Sequence, residues 1–183
     1  MKKYSIEEII KSLPAKDNAM LGRRKVRSKV FYIAGLATAI SSDGQLIEQK
    51  TIKEVGVTNF DGGNKLNAGR DVLVLGLRVL FDTTADVNVK TASWKSEAPA
   101  NFKNGELVIN QDGSGNLFEG PIGPLAKYNA AIPAEDEFRV VAPFWIRSNV
   151  VFKLQALLAG AVAANQAYRL ELDCLEVVDE ASA

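Results

Sequence analysis

Tyr168-Arg169-Leu170-Glu171-Leu172-Asp173-Cys174 alternates apolar and charged side chains without a break. Strand side chains point to opposite faces with a period of two. Tyr168, Leu170, Leu172 and Cys174 therefore share one face, and Arg169, Glu171 and Asp173 the other, as in a half-buried strand running to Val178. Asn149 to Leu157 repeats the pattern, with Val150, Phe152 and Leu154 facing inward. The stretch between them, Leu157 to Ala167 (LLAGAVAANQA), suits a short helix by propensity or a small-residue loop. The strength of the flanking strands favours a loop that joins them as a hairpin. Val72 to Phe81 (VLVLGLRVLF) is apolar at odd and even positions alike. That is expected of a strand buried on both faces, its second face covered by another layer or subunit.

Further strands are expected over Val30 to Ile40, Gln45 to Phe60 and Val87 to Trp94. Glu106 to Asn110 and Asn116 to Glu119 flank Gln111-Asp112-Gly113-Ser114-Gly115, a hairpin turn. Phe138 to Ile146 contains Pro143, which marks an edge strand or a bend. Eight or nine strand candidates follow one another with turn signals between them, near the ~8–12-residue spacing of sandwiches. Strand–helix alternation is absent, which argues against a doubly wound sheet. The fold expected is all-β, an antiparallel β-sandwich of jelly-roll type over residues 30–183, preceded by a short helix and a basic arm over residues 1–29.

In the N-terminal segment, Ser5 and Glu8 form a capping box, Ile6, Ile9, Ile10 and Leu13 fall on one helical face, and Pro14 stops the helix. Residues 15–29 are polar and read as an extended arm. Residues 1–29 hold nine Lys/Arg and three Asp/Glu, a charge of +6 in a chain whose net charge is zero. The body therefore carries −6. The sharpest basic run is Arg23-Arg24-Lys25-Val26-Arg27-Ser28-Lys29. It fits a solvated flank of the first strand, a contact with the acidic face of a neighbouring copy, or nucleic acid held by charge alone. Together with Ile6, Ile9, Ile10 and Leu13, the residues Arg23, Arg24, Lys25, Arg27 and Lys29 are the candidate assembly arm.

A chain of 183 residues is one domain with room for a real core. It has no histidine and one cysteine, Cys174. These counts exclude Ser-His-Asp and Cys-His nucleophile systems, histidine-ligated metals, an intrachain disulfide and multi-thiolate clusters. Gly63 to Arg70 fails as a phosphate loop, because five residues separate its glycines and Arg70 follows in place of Lys-Ser/Thr. Asp112, Ser114 and Asn116 alternate as in a calcium loop, but Leu117 and Gly123 stand where a glycine and a closing carboxylate belong. Neither a cofactor, a metal site nor a catalytic residue is expected, and the chain reads as not an enzyme. The longest apolar runs fall far short of the ~20 residues that cross a bilayer, and the first 20 residues lack the apolar stretch of a signal peptide. No membrane span is expected.

The stretches Phe144 to Leu154 (FWIRSNVVFKL) and Tyr168 to Val177 (YRLELDCLEV) resemble the closing strands of small jelly-roll structural proteins of bacteriophage particles. The resemblance implies a virion subunit, made in the host cytoplasm, that is capsid or capsid-associated and does no chemistry. Its partners would be copies of itself and other virion proteins, with nucleic acid a further partner through the arm. Two other functions are weighed. One is a carbohydrate- or protein-binding β-sandwich module using Trp94 or Trp145; the other is a hydrolase working with carboxylates alone.

Overall fold

The structure, a computed structural model of the chain, describes residues 7, 8, 11, 25–126 and 138–178. Seven strands run through them: β1 Lys25–Leu36, β2 Arg70–Asp82, β3 Glu106–Gln111, β4 Gly115–Pro121, β5 Arg139–Ile146, β6 Phe152–Leu157 and β7 Ala167–Val178. They form two antiparallel sheets, one ordered β1-β7-β2-β5 and one ordered β4-β3-β6. Both bury one face in a common core, to which Ile33, Leu77, Leu170 and Leu172 of the larger sheet and Leu107, Ile109, Phe152 and Leu154 of the smaller contribute. The all-β, two-layer class expected from the alternation pattern is what the chain adopts.

The pairings are nested. The first strand pairs with the last from Lys25↔Val178 to Leu36↔Ala167, β2 pairs with β5, and β3 pairs with its hairpin partner β4. The segment around Gln45 holds β6 by the single bridge Gln45↔Gln155, flanked by hydrogen bonds from Leu46 N–H to Leu154 O and from Ala156 N–H to Gly44 O.

Two expected strands are absent. Gln45 to Phe60 turns back on itself after the bridge: Thr51 N–H bonds Glu48 O, and Glu54 and Thr58 exchange both backbone bonds. Its apolar residues Ile47 and Phe60 are nevertheless buried, Phe60 between Phe31 and Phe152 with ring centroids 4.9 and 5.7 Å away. Gly63, the first glycine of the failed phosphate loop, serves this turn. Its φ is +61°, and a Cβ there would stand 2.5 Å from Gln49 O. Val87 to Trp94 is also a loop: Thr91 N–H bonds Asn88 O, Lys90 N–H bonds Asn88 Oδ1 and Ser93 N–H bonds the buried Asp82 carboxylate, local acceptors that compete with a strand ladder.

β7 departs from its expected half-burial. It is an inner strand, between β1 and β2, so both of its faces are covered and even Glu171 and Glu176 are buried. β2 is buried on both faces, as its composition requires. Pro143 lies in β5, an edge strand whose register against β2 shifts near it, between Val74 and Gly76. Residues 158–166 form no strand or α-helix, in keeping with a loop. They lead from β6 in one sheet to β7 in the other, so the connection is a crossover between layers and not the hairpin expected.

Candidate functional site

The candidate arm divides. Ile6, Ile9, Ile10, Leu13, Arg23 and Arg24 lie outside the described residues. Within the expected helix, Glu7, Glu8 and Lys11 are described, and they are helical and exposed. Lys25, Arg27 and Lys29 belong to β1, which starts five residues before the boundary expected at residue 30. Alternation puts all three on one side of the strand, and the register sets Arg27 opposite Glu176. Glu176 is 1% exposed and accepts hydrogen bonds from Arg27 Nε and, at 3.0 Å, from Lys29 Nζ. Burial alone would raise its carboxyl, but these bonds and charges outweigh burial and hold it below the ordinary carboxylate range. Lys29 Nζ also stands 4.2 Å from the Phe31 ring centroid. Two cations assigned to a free arm are thus engaged within their own chain. The pairing of first strand with last, invisible in sequence order, is what brings them to Glu176.

The outward face of the larger sheet is unusual. The outer face of an antiparallel sheet is commonly solvated and polar. Here one end carries a second apolar cluster of Leu73, Trp145, Leu175 and Val177, with Val26 and Leu75 packed against it. The other end carries ions. Arg78 Nε and Nη2 bond Glu171 Oε2 at 2.9 and 2.5 Å, and Arg169 Nε bonds Glu171 Oε1 at 2.6 Å. The Arg78 and Arg169 guanidiniums lie over the rings of Phe138 and Tyr32, at 4.5 and 4.0 Å. Asp173 is pushed above its ordinary range by burial, against the opposing effects of the Cys174 backbone N–H and Arg78.

A small cleft of about 180 Å³ opens beside β2, lined by Val79, Phe81, Trp94, Ser96, Glu97 and Lys103 among others. Trp94 holds a left-handed φ of 57°. It follows Ser93, whose N–H and Oγ both donate to Asp82 Oδ2, at 2.6 and 2.9 Å; Thr84 N–H and Oγ1 donate to Oδ1 at 3.0 and 2.8 Å. Burial works against ionisation of Asp82, yet these four bonds bring its carboxyl down to about 2. A depressed carboxyl stabilises the fold above its unfolded value of 3.8 and stops doing so as pH falls toward 2. Asp82→Asn should therefore cost about 2 kcal/mol at pH 7, at about 1.4 kcal/mol per unit. The gap from wild type should close by pH 2, as read by urea denaturation at both pH values. A gap unchanged between the two would remove the carboxylate as its source.

Of the two tryptophans, Trp94 lines this cleft and Trp145 is packed in the outer apolar cluster, with the Arg147 guanidinium 4.8 Å from its ring centroid. Cys174 is buried, and burial, reinforced by Asp173, pushes its thiol well above the ordinary range. A thiol so placed is a packing group and a poor nucleophile. Among the described residues no group of three or more Cys, Asp or Glu side chains is placed to hold a metal, and no helix is long and apolar enough to cross a membrane. No family model matches the chain, and no curated protein matches it.

Proposed function

We propose that the chain is a non-enzymatic structural subunit of a bacteriophage particle, made in the host cytoplasm. It assembles with itself or attaches to a capsid, and its N-terminal arm contacts neighbouring subunits. The observation that carries this reading is the nested strand pairing. A jelly roll winds a long hairpin so that first pairs with last and each inner strand with its counterpart. The pairs β1–β7, β2–β5 and β3–β4 follow that order, and the Gln45–Gln155 bridge occupies the remaining position, where a second strand would meet β6. The body is on this reading a jelly roll with one strand reduced to a bridge.

Fold alone does not specify function, so two further features bear the weight. The acids Asp82, Glu171 and Glu176 and the thiol of Cys174 are committed to hydrogen bonds, ion pairs or packing. Lys25 pairs with Val178, so the points at which the basic N-terminal segment and the acidic C-terminal residues Asp179 and Glu180 join the body are neighbours. Sequence segments of opposite charge suit head-to-tail contacts between copies.

The Trp94 cleft favours a second reading, a ligand-binding module, because an aromatic in a left-handed conformation, beside a Ser93 held by Asp82, suits a prepared contact. Size-exclusion chromatography with light scattering, run over a concentration series at low and high salt, separates the two. The subunit reading expects discrete multiples of 19.8 kDa that weaken with salt. A monomer at every concentration that binds a glycan panel, and loses that binding on Trp94→Ala, would replace it with the module. Salt-sensitive retention of nucleic acid by the full chain would turn the arm toward the genome.

A further inference from the structure

We infer that this chain carries both halves of a contact between copies: the tip of the 48–57 loop, with Ile52 and Val55, seats in the groove between residues 37–44 and 156–162 of a second copy. The contact rests on the subunit reading and gives it the surfaces that meet. Ile52 is 76% exposed and Val55 85%, the two most exposed large aliphatics among the described residues. Their turn is fixed. Glu54 and Thr58 exchange both backbone bonds, Val57 N–H donates to Glu54 O at 3.0 Å, and Gly56 turns the chain at a φ of +85° directly after Val55. The base of the turn is fastened to the body. Ala34 N–H donates to Val57 O at 2.7 Å, Gly56 N–H to the Tyr32 hydroxyl at 3.3 Å, and Lys90 Nζ pairs with Glu54 Oε1 at 2.5 Å. Single exposed aliphatics are ordinary. Two on one fastened turn are apolar surface that the fold does not use, and a preformed turn loses little freedom when it enters a contact.

The groove is chemically the complement of this tip. It encloses about 390 Å³ and is lined by Ala37, Ile40, Ala156, Leu157, Leu158 and Val162 among others. Leu157 is 43% exposed and Val162 37%, so its apolar lining is open to solvent. Between the lining residues Ser42 and Gly44 stands Asp43, exposed, its carboxylate accepting bonds from Ser41 Oγ at 2.6 Å and Gln45 Nε2 at 3.1 Å. These bonds hold the Asp43 carboxyl below its ordinary range. In the tip, Lys50 pairs with Glu48 at 3.1 Å and Glu54 with Lys90. Lys53, in sequence between Ile52 and Val55, is left as the tip's one charge without an ion pair among the described residues. Two aliphatics and a cation on one surface therefore match an aliphatic trough and a carboxylate on the other.

A tip that meets a different surface on the next copy makes a heterologous contact. Such contacts repeat from copy to copy, closing into a ring or running on as an open array. The contact is mainly apolar, so salt screens little of it, whereas the basic arm's contact is carried by charge. The two are separable by substitution.

Sedimentation velocity of the full chain over a concentration series in low salt tests the contact, with two variants. Ile52→Ser/Val55→Ser blunts the tip and Leu157→Ser/Val162→Ser blunts the groove; Val162→Ser alone serves if the second double variant fails to keep the β circular dichroism spectrum. Each aliphatic withdrawn should raise the concentration needed for assembly roughly tenfold. Val140→Ser, which removes another exposed aliphatic, from β5, should leave that concentration unchanged. Mixing the two double variants at the wild-type assembly concentration should give 1:1 pairs of about 40 kDa, twice 19.8 kDa, because one intact tip then meets one intact groove and the series cannot continue. A mixture that stays monomeric would overturn the contact, as would a groove variant that weakens assembly while the tip variant does not, or an equal loss from Val140→Ser. Wild type that assembles no better than either double variant would overturn the contact and leave the subunit reading standing. Wild type that is monomeric at every concentration would overturn both.

Discussion

Replacing Glu171 with alanine should destabilise the chain by about 3–5 kcal/mol, the cost of leaving a buried charge without its partner. Glu171 is 5% exposed and Arg78 9%, and one carboxylate receives both arginines, Arg78 through two nitrogens and Arg169 through one. Arg78 Nη1 already has no hydrogen-bond partner, so loss of Glu171 would leave the whole guanidinium without one. Glu171→Gln should lose less, since the amide oxygen still accepts one bond. The double substitution Arg78→Met/Glu171→Met should recover most of the loss, because apolar side chains of similar size remove the desolvation penalty together with the attraction. Denaturant unfolding of the three proteins checks this. A Glu171→Ala loss below ~1 kcal/mol would place the pair in contact with water.

The second large effect is expected at Phe152. Phe152→Ala should cost about 3–5 kcal/mol, as deletion of a fully buried ring does where the surroundings cannot collapse. Phe152 stands at 0% exposure on β6, in the smaller sheet, while its neighbour Phe60 touches Phe31 of the larger sheet. The ring therefore helps join the two layers through a loop residue. Its removal should lower the urea midpoint without changing the slope, since the surface exposed on unfolding stays the same. A reduced slope would mean that the layers separate before the strands unfold. Filling the void by shifts of the 45–60 loop is the one route to a smaller cost, and Phe60→Ala in the same background would then show strong non-additivity.

Much of the architecture was legible in the residues. The Gln111–Gly115 turn, the edge position announced by Pro143 and the two-sided burial of Val72 to Phe81 all follow from local chemistry and period. The strands expected over 45–60 and 87–94 failed for a shared reason. Their alternation is real and buries Ile47 and Phe60, but backbone partners come from turns, and in the second case from the Asp82 carboxylate, a residue outside the stretch. Hydrophobic alternation reports which side chains are buried, not where the backbone hydrogen bonds go.

The candidate site was less legible. Arg27 and Lys29 read as free cations because Glu176 lies 149 and 147 residues away in sequence, and only the pairing of β1 with β7 makes them neighbours. Glu171, which alternation assigned to a wet face, is buried for the same topological reason. The apolar excess of Val72 to Phe81 and of Leu175 and Val177 did carry a signal: a sheet with two apolar faces needs a second cover.

On the proposed function, this chain tiles with copies of itself. Negative-stain electron microscopy of the purified full chain, concentrated in low-salt buffer, tests it most directly. Regular assemblies of repeating units, as rings, shells or sheets, that come apart in high salt are the expected result. A field of separate particles of about 20 kDa at every concentration and salt, with the β fold intact, would contradict it.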